Sequence, residues 1–184
     1  LEMLDKAIKE AAIAHGDQKR KGKDTPYITH PFSVGMILSQ AGYTVDEVVA
    51  GILHDTLEDT DLSVERIEDL FGTHVANIVQ GCTEPDRCLP WKERKRHTIE
   101  YLKTASPEVR AVACADKLHN AGDMLADYRE VGEDLWERFN EKKEGQDWYY
   151  NGLVESLCDR LDEHPEGSIF HRLKETVDLL FGAV

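Results

Sequence analysis

Four ionisable side chains crowd into the stretch His54-Asp55-Thr56-Leu57-Glu58-Asp59. Val48, Val49, Ile52 and Leu53 make the preceding turn apolar, so the group emerges from a helix whose other face is buried. On such a helix His54 and Glu58 stand four apart, as do Asp55 and Asp59, while Asp55 and Glu58 are three apart. All four then occupy neighbouring positions on one surface. Each like-charged helical pair costs about 0.2–0.5 kcal/mol, and the repulsion grows wherever water is excluded. A bound divalent cation reverses its sign. Acids at the C-terminal end of a helix also oppose its dipole. A solvated acidic face is the plain alternative, and this one helix does not decide between the two.

Two further stretches add to it. Pro26-Tyr27-Ile28-Thr29-His30-Pro31 sets a histidine directly before a proline, at a helix entrance from which its ring can point into a cleft. Cys114-Ala115-Asp116-Lys117-Leu118-His119-Asn120 puts an aspartate inside an otherwise apolar helix with Val109, Val112, Ala113 and Leu118. A carboxylate there is costly unless it is paired or coordinates a metal. Asn120 lies one turn on, on the same face. Residues 18–23 (Gln-Lys-Arg-Lys-Gly-Lys) hold four positive charges and no acid, which suits either a solvated loop tip or a phosphate clamp. Tyr27 suits a stacking or lid role, or simple packing.

The elements that must position these residues are all helical. The 184 residues carry 22 basic and 36 acidic side chains, a net charge of −14. That balance argues against nucleic-acid or anionic-membrane partners, and no apolar run approaches the length of a membrane span. The chain opens without a basic region followed by an apolar one, so no secretory signal is expected. Four cysteines form no C-x-x-C pair and fit reduced thiols in the cytoplasm. Apolar residues recur at helical spacing almost throughout, which gives an all-α fold: a single domain, residues 1–184, of about eight to ten helices. Helices are predicted at 2–15, from about Pro31 with Phe32, Val34, Ile37 and Leu38 buried, at 45–57 with Thr44 as cap, at 64–71 capped by Ser63, and at 73–81. Others follow at 107–128, opened by Ser106-Pro107, and at 131–139, 144–163 and 168–181. Residues 17–29 and 83–91 read as loops, and Lys92–Arg96 as part of a surface helix.

The order H…HD…D, with Glu58-Asp59 beyond the His54-Asp55 pair, resembles the HD-domain metal-dependent phosphohydrolases. "QKRKGKDTPYITHP", "GILHDTLEDTD", "FGTHVANIVQGCTE", "ERKRHTIEYLK" and "ACADKLHN" are similar to the hydrolase domain of the RelA/SpoT group, above all to its small stand-alone alarmone hydrolases. The resemblance is dense over residues 7–125, the motif-bearing core, and leaves 126–184 as a helical extension. It implies four metal ligands, His30, His54, Asp55 and Asp116, around one divalent ion, with Mn²⁺ the family's metal. Two imidazoles and two carboxylates suit such an ion better than the thiolate-rich sites zinc prefers.

Glu58 and Asp59 match the family's catalytic pair and would orient and deprotonate the attacking water. Arg20 and Lys21 stand where the family places basic side chains near substrate, and Asn120 matches a residue near the nucleotide. The activity implied is removal of the 3′-pyrophosphate from the nucleotide (p)ppGpp, giving GDP or GTP. Cys-Thr-Glu-Pro-Asp after Gly81 departs from the segment found in the bifunctional enzymes, which keeps (p)ppApp and the 2′-phosphate of NADPH open as substrates. A helical module that binds a nucleotide around a structural metal is the rival outside enzymology. The oligomeric state is open. His15, His74, His97, His164 and His171 match no ligand position and read as surface or interhelix residues.

Overall fold

A computed structural model describes residues 1–84 and 88–182. Among them the chain is helical, with one isolated bridge between Lys19 and Pro26 and no strand. The helices are α1 (Glu2–His15), α2 (Thr29–Gln40), α3 (Val45–Leu53), α4 (Thr56–Asp59), α5 (Val64–Phe71), α6 (Thr73–Cys82), α7 (Trp91–Leu102), α8 (Pro107–Val131), α9 (Lys142–Leu157) and α10 (Ile169–Phe181). Part of the loop expected at 83–91 lies outside the described residues. No described helix is long and apolar enough to cross a membrane.

The helices gather into two compact units. One holds Leu1–Pro85 with Ser106–Asp116, the other Asp86–Ala105 with Lys117–Val184. In the first, α3 packs against α1, α2 and α6. Every residue from Glu47 to Leu53 is buried, and from Val48 onward the helix is apolar on all sides rather than on one face. Its start is secured by a capping box: Glu47 Oε2 accepts the Thr44 amide at 2.8 Å while the Thr44 hydroxyl accepts from the Glu47 amide. The second unit is built on α9, which packs against α7 and α10 around Leu153, Leu157 and Leu173. Tyr149 and Tyr150 are buried there, in line with a packing role.

α2 and α3 approach unusually closely, and glycine permits it. A Cβ on Gly51 would fall 2.5 Å from Leu38 Cδ1 and 3.3 Å from Val34 Cγ1, and one on Gly35 would fall 2.6 Å from Ile52 Cγ1. Leu38 is fully buried, so it has little room to give. Gly51→Val is expected to destabilise the protein by about 1–3 kcal/mol through overpacking, read as a lowered thermal midpoint. The variant should also bind metal more weakly, because this helix pair sets the spacing of His30 and His54.

Three elements differ from their sequence-based expectation. The helix expected at 45–57 breaks after Leu53, and a new short helix starts at Thr56. In a continuous helix the Gly51 and Leu53 carbonyls would accept the amides of Asp55 and Leu57. Here the His54 ring nitrogen Nδ1 takes the Gly51 carbonyl at 2.8 Å, and the Thr56 hydroxyl takes that of Leu53 at 2.7 Å. Side chains have displaced the ladder at the chemically loaded residues. The segment expected at 131–139 forms a 3₁₀ helix, Gly132–Arg138, entered through Gly132 at φ +62°. The segment expected at 144–163 ends at Leu157, with a 3₁₀ turn at Leu161–Glu163.

Candidate metal centre

His30 sits in the first turn of α2, delivered by a loop whose backbone is pinned to itself. Arg20 N donates to Thr25 O at 2.9 Å, Tyr27 N to Gln18 O at 2.8 Å, and His30 N to Tyr27 O at 2.9 Å. His54 and Asp55 occupy the break between α3 and α4, with Asp55 at the cap position of α4. Asp116 projects from α8 beside fully buried Val112, Cys114 and Ala115. All four belong to the first unit.

Their donor atoms converge. His30 Nε2 lies 3.1 Å from Asp116 Oδ1 and 3.6 Å from Asp55 Oδ2, and His54 Nε2 lies 3.0 Å from Asp55 Oδ2 and 3.7 Å from Asp116 Oδ1. Two ligands about 2.1 Å from one ion stand about 3.0 Å apart at a right angle and about 3.4 Å apart at the tetrahedral angle. The separations of 3.0 and 3.1 Å match a right angle, and those of 3.6 and 3.7 Å fall just beyond the tetrahedral value. His54 supplies an independent sign of fit: its Nδ1–H is committed to the Gly51 carbonyl, so in the neutral ring it is Nε2 that carries the lone pair a metal needs. That atom is buried and makes no hydrogen bond, although Asp55 Oδ2 lies 3.0 Å away. A backbone carbonyl fixing the distal ring nitrogen is the usual support of a metal-bound imidazole.

The field in the site favours positive charge. Burial lowers the proton affinity of His30. Burial acts on His54 in the same sense, but Asp55 and Asp116 outweigh it and raise that ring well above its ordinary value. The Asp55 carboxyl, which burial alone would raise, is held well below the usual carboxylate range, chiefly by His54. The field that favours a proton on His54 Nε2 also favours a divalent cation.

Tyr27 is a supporting residue. Its hydroxyl donates to Asp55 Oδ2 at 2.6 Å, and burial followed by Asp55 raises its pKa far beyond the ordinary range. Its ring also meets His15 at 4.9 Å and His30 at 5.9 Å between centroids. Tyr27→Phe keeps the ring and removes the donor. It is expected to weaken metal binding about 10–100-fold, measured by titration of the metal-free protein, with little change in fold.

The other expected site residues separate into groups. Glu58 and Asp59 both lie on α4, Glu58 half-buried and Asp59 exposed. The Glu84 amide reaches Glu58 Oε2 at 3.4 Å, and the Asp59 amide bonds to Asp55 O at 2.9 Å, so 55–59 is one turn. Arg20 lies over the Tyr27 ring, its guanidinium carbon 5.8 Å from the centroid. Lys21 is exposed on the turn before Gly22, which has φ +73°. Asn120 belongs to the second unit. His15, expected on a surface or between helices, is 1% exposed and touches Tyr27. The signal for it was present: Ala7, Ala11 and His15 repeat every four residues and form the buried stripe of α1.

Comparison with known proteins agrees with this geometry. Residues 7–145 match the HD domain family. Guanosine-3′,5′-bis(diphosphate) 3′-pyrophosphohydrolase MESH1 of Danio rerio is 44% identical over 125 residues, 66% of this chain and 69% of that protein. The crystal structure of lmo0812 from Listeria monocytogenes superimposes with a TM-score of 0.77 at 35% identity, covering 84% of this chain and 99% of that one. A metazoan orthologue of SpoT that hydrolyses ppGpp superimposes with a TM-score of 0.78 at 29% identity, covering 96% and 94%. With the family model matching most of its length, and with a relative 44% identical among the proteins it resembles, this chain belongs to the HD-domain family, in the RelA/SpoT group.

Proposed function

We propose that this protein is a metal-dependent pyrophosphohydrolase that removes the 3′-pyrophosphate from (p)ppGpp, giving GDP or GTP and pyrophosphate. The observation that carries the reading is the convergence of four donor atoms within 3.0–3.7 Å of their neighbours, one turn from a carboxylate pair. The relatives named for this reaction support the choice of substrate. We assign the ion as Mn²⁺, with His30, His54, Asp55 and Asp116 as its ligands. When bound, such an ion polarises a phosphoryl oxygen and lowers the pKa of a coordinated water.

The chain's own residues do the rest. Tyr27 holds the Asp55 carboxylate in orientation, and the Gly51 carbonyl holds His54. Glu58, half-buried on α4, accepts the proton of the attacking water, and Asp59 orients that water. Arg20 and Lys21 neutralise the departing pyrophosphate, Arg20 with a fork that matches phosphate geometry and Lys21 with a mobile point charge. We infer that the protein works in the cytoplasm, because four free cysteines suit a reducing compartment.

The deciding experiment incubates the purified protein with Mn²⁺ and, separately, ppGpp, ppApp, NADPH and deoxynucleoside triphosphates. Pyrophosphate released from ppGpp in preference to the others is the expected result. No release from any of them would remove the enzymatic reading. Phosphate from NADPH, or pyrophosphate from ppApp, as the dominant product would reassign the substrate.

A further inference from the structure

The end of α1 and the start of the following loop make a set of contacts that the chemistry above does not use. Gln18 Nε2 donates to the Asp59 carbonyl at 2.7 Å, and Gln18 Oε1 lies 2.9 Å from His15 Nδ1. The backbone carbonyl of Gln18 accepts the Tyr27 amide. One residue thus reaches the strand of chain bearing Tyr27 and the helix bearing Glu58 and Asp59.

α4 is only four residues long, so its last carbonyls lack the downstream amides that a continuing helix would provide. Gln18 donates to the carbonyl of Asp59, the last residue of α4. A carboxamide has one donor end and one acceptor end, and the direction of Gln18 is set by its second partner. With His15 donating from Nδ1, Oε1 must face the ring and Nε2 must face Asp59. The opposite tautomer would turn the amide and set two acceptors against each other. The Nδ1–H tautomer leaves His15 Nε2 bare, and that atom is buried without a hydrogen-bond partner. An apolar side chain would fill the same space without this cost. What the histidine adds is the Nδ1–H.

We propose that His15 and Gln18 are positioning residues, a coupled pair that holds the Asp59 end of α4 and thereby fixes the Glu58–Asp59 carboxylates relative to the metal ligands. The inference rests on the reading of Glu58 and Asp59 as the groups that handle the attacking water.

Gln18→Glu tests it. The variant is nearly isosteric and still accepts from His15, but presents an acceptor to the Asp59 carbonyl. The expected result is a kcat for ppGpp lowered about 10–100-fold, a KM within about twofold, since substrate binding is not involved, and an unchanged Mn²⁺ content. In the metal-free protein, amide hydrogen exchange across residues 55–62 should accelerate while that of α3 does not.

His15→Leu should reproduce the loss. His15→Asn, whose Nδ2 takes the place of Nδ1, should restore kcat to within about threefold. Unchanged kcat in Gln18→Glu, a loss that tracks metal content, or unchanged exchange at 55–62 would overturn the proposal, as would equal defects in His15→Leu and His15→Asn. A wild-type protein that releases no pyrophosphate defeats the functional reading instead, and the exchange comparison still decides whether the pair holds α4.

Discussion

Asp116→Asn is expected to yield a folded, helical protein that retains no cation and turns over (p)ppGpp at least about a thousandfold more slowly. Asp116 Oδ1 lies 3.1 Å from His30 Nε2 and 3.7 Å from His54 Nε2, and it is the only one of the four donors that α8 brings. Asparagine keeps the size and the hydrogen-bonding oxygen but removes the charge that balances a divalent ion. A metal contributes several kcal/mol to charge stabilisation in the transition state, and each 1.36 kcal/mol is tenfold in rate. The cost to the metal-free fold should be small, because the change removes a nearly buried charge. Two measurements check this: metal content after dialysis, and thermal unfolding with and without Mn²⁺. In the wild type the ion should raise the midpoint by binding only the folded state; in Asp116→Asn that rise should vanish. A variant that still carried one ion per chain would exclude Asp116 from the ligand set.

Glu58→Gln is expected to separate binding from chemistry. It should lower kcat by about 10²–10⁴-fold, the usual contribution of a positioned general base, and leave the Mn²⁺-dependent rise in thermal midpoint intact. Glu58 is not among the four converging donors, and it sits one turn beyond Asp55 on α4. Asp59→Asn should behave likewise, and the double variant should lose less than the product of the single losses, because both groups serve one water. The same variant distinguishes an enzyme from a module that only binds a nucleotide, since a binding function would be indifferent to it. Turnover within about threefold of wild type in Glu58→Gln would move the base elsewhere.

The elements of the fold were legible where the cause is local. Ser63 and Thr44 cap the helices assigned to them, and α1 and α5 run as their spacing indicates. The break at His54-Asp55 was not legible. His and Thr side chains take backbone carbonyls only where the surroundings hold them there, and either residue also fits a continuous helix. The burial of His15 was visible in the Ala7-Ala11-His15 stripe, but its contact with Tyr27 depends on how the loop of residues 17–28 folds back. The buried stripe of α2 is His30, Pro31, Val34, Gly35 and Leu38, with Phe32 and Ile37 only half-buried. Glycine's part in it is invisible to a count of apolar side chains, because its contribution is the side chain it lacks.

The amino-acid order by itself determined which groups could do chemistry: acids too crowded to be comfortable without a counter-charge, an aspartate stranded in an apolar helix, and a motif set specific enough to name a family. Those properties belong to near neighbours in the chain, whose repulsions and burial costs act over one or two turns. The tertiary structure alone decided that donors 86 residues apart in sequence, His30 and Asp116, lie 3.1 Å from one another. It also decided that Tyr27 serves Asp55, and that His15 and Gln18 reach α4. Such contacts are fixed by how closely α2 and α3 pack and by which backbone carbonyls the side chains find, and neither is written in the spacing of any single segment.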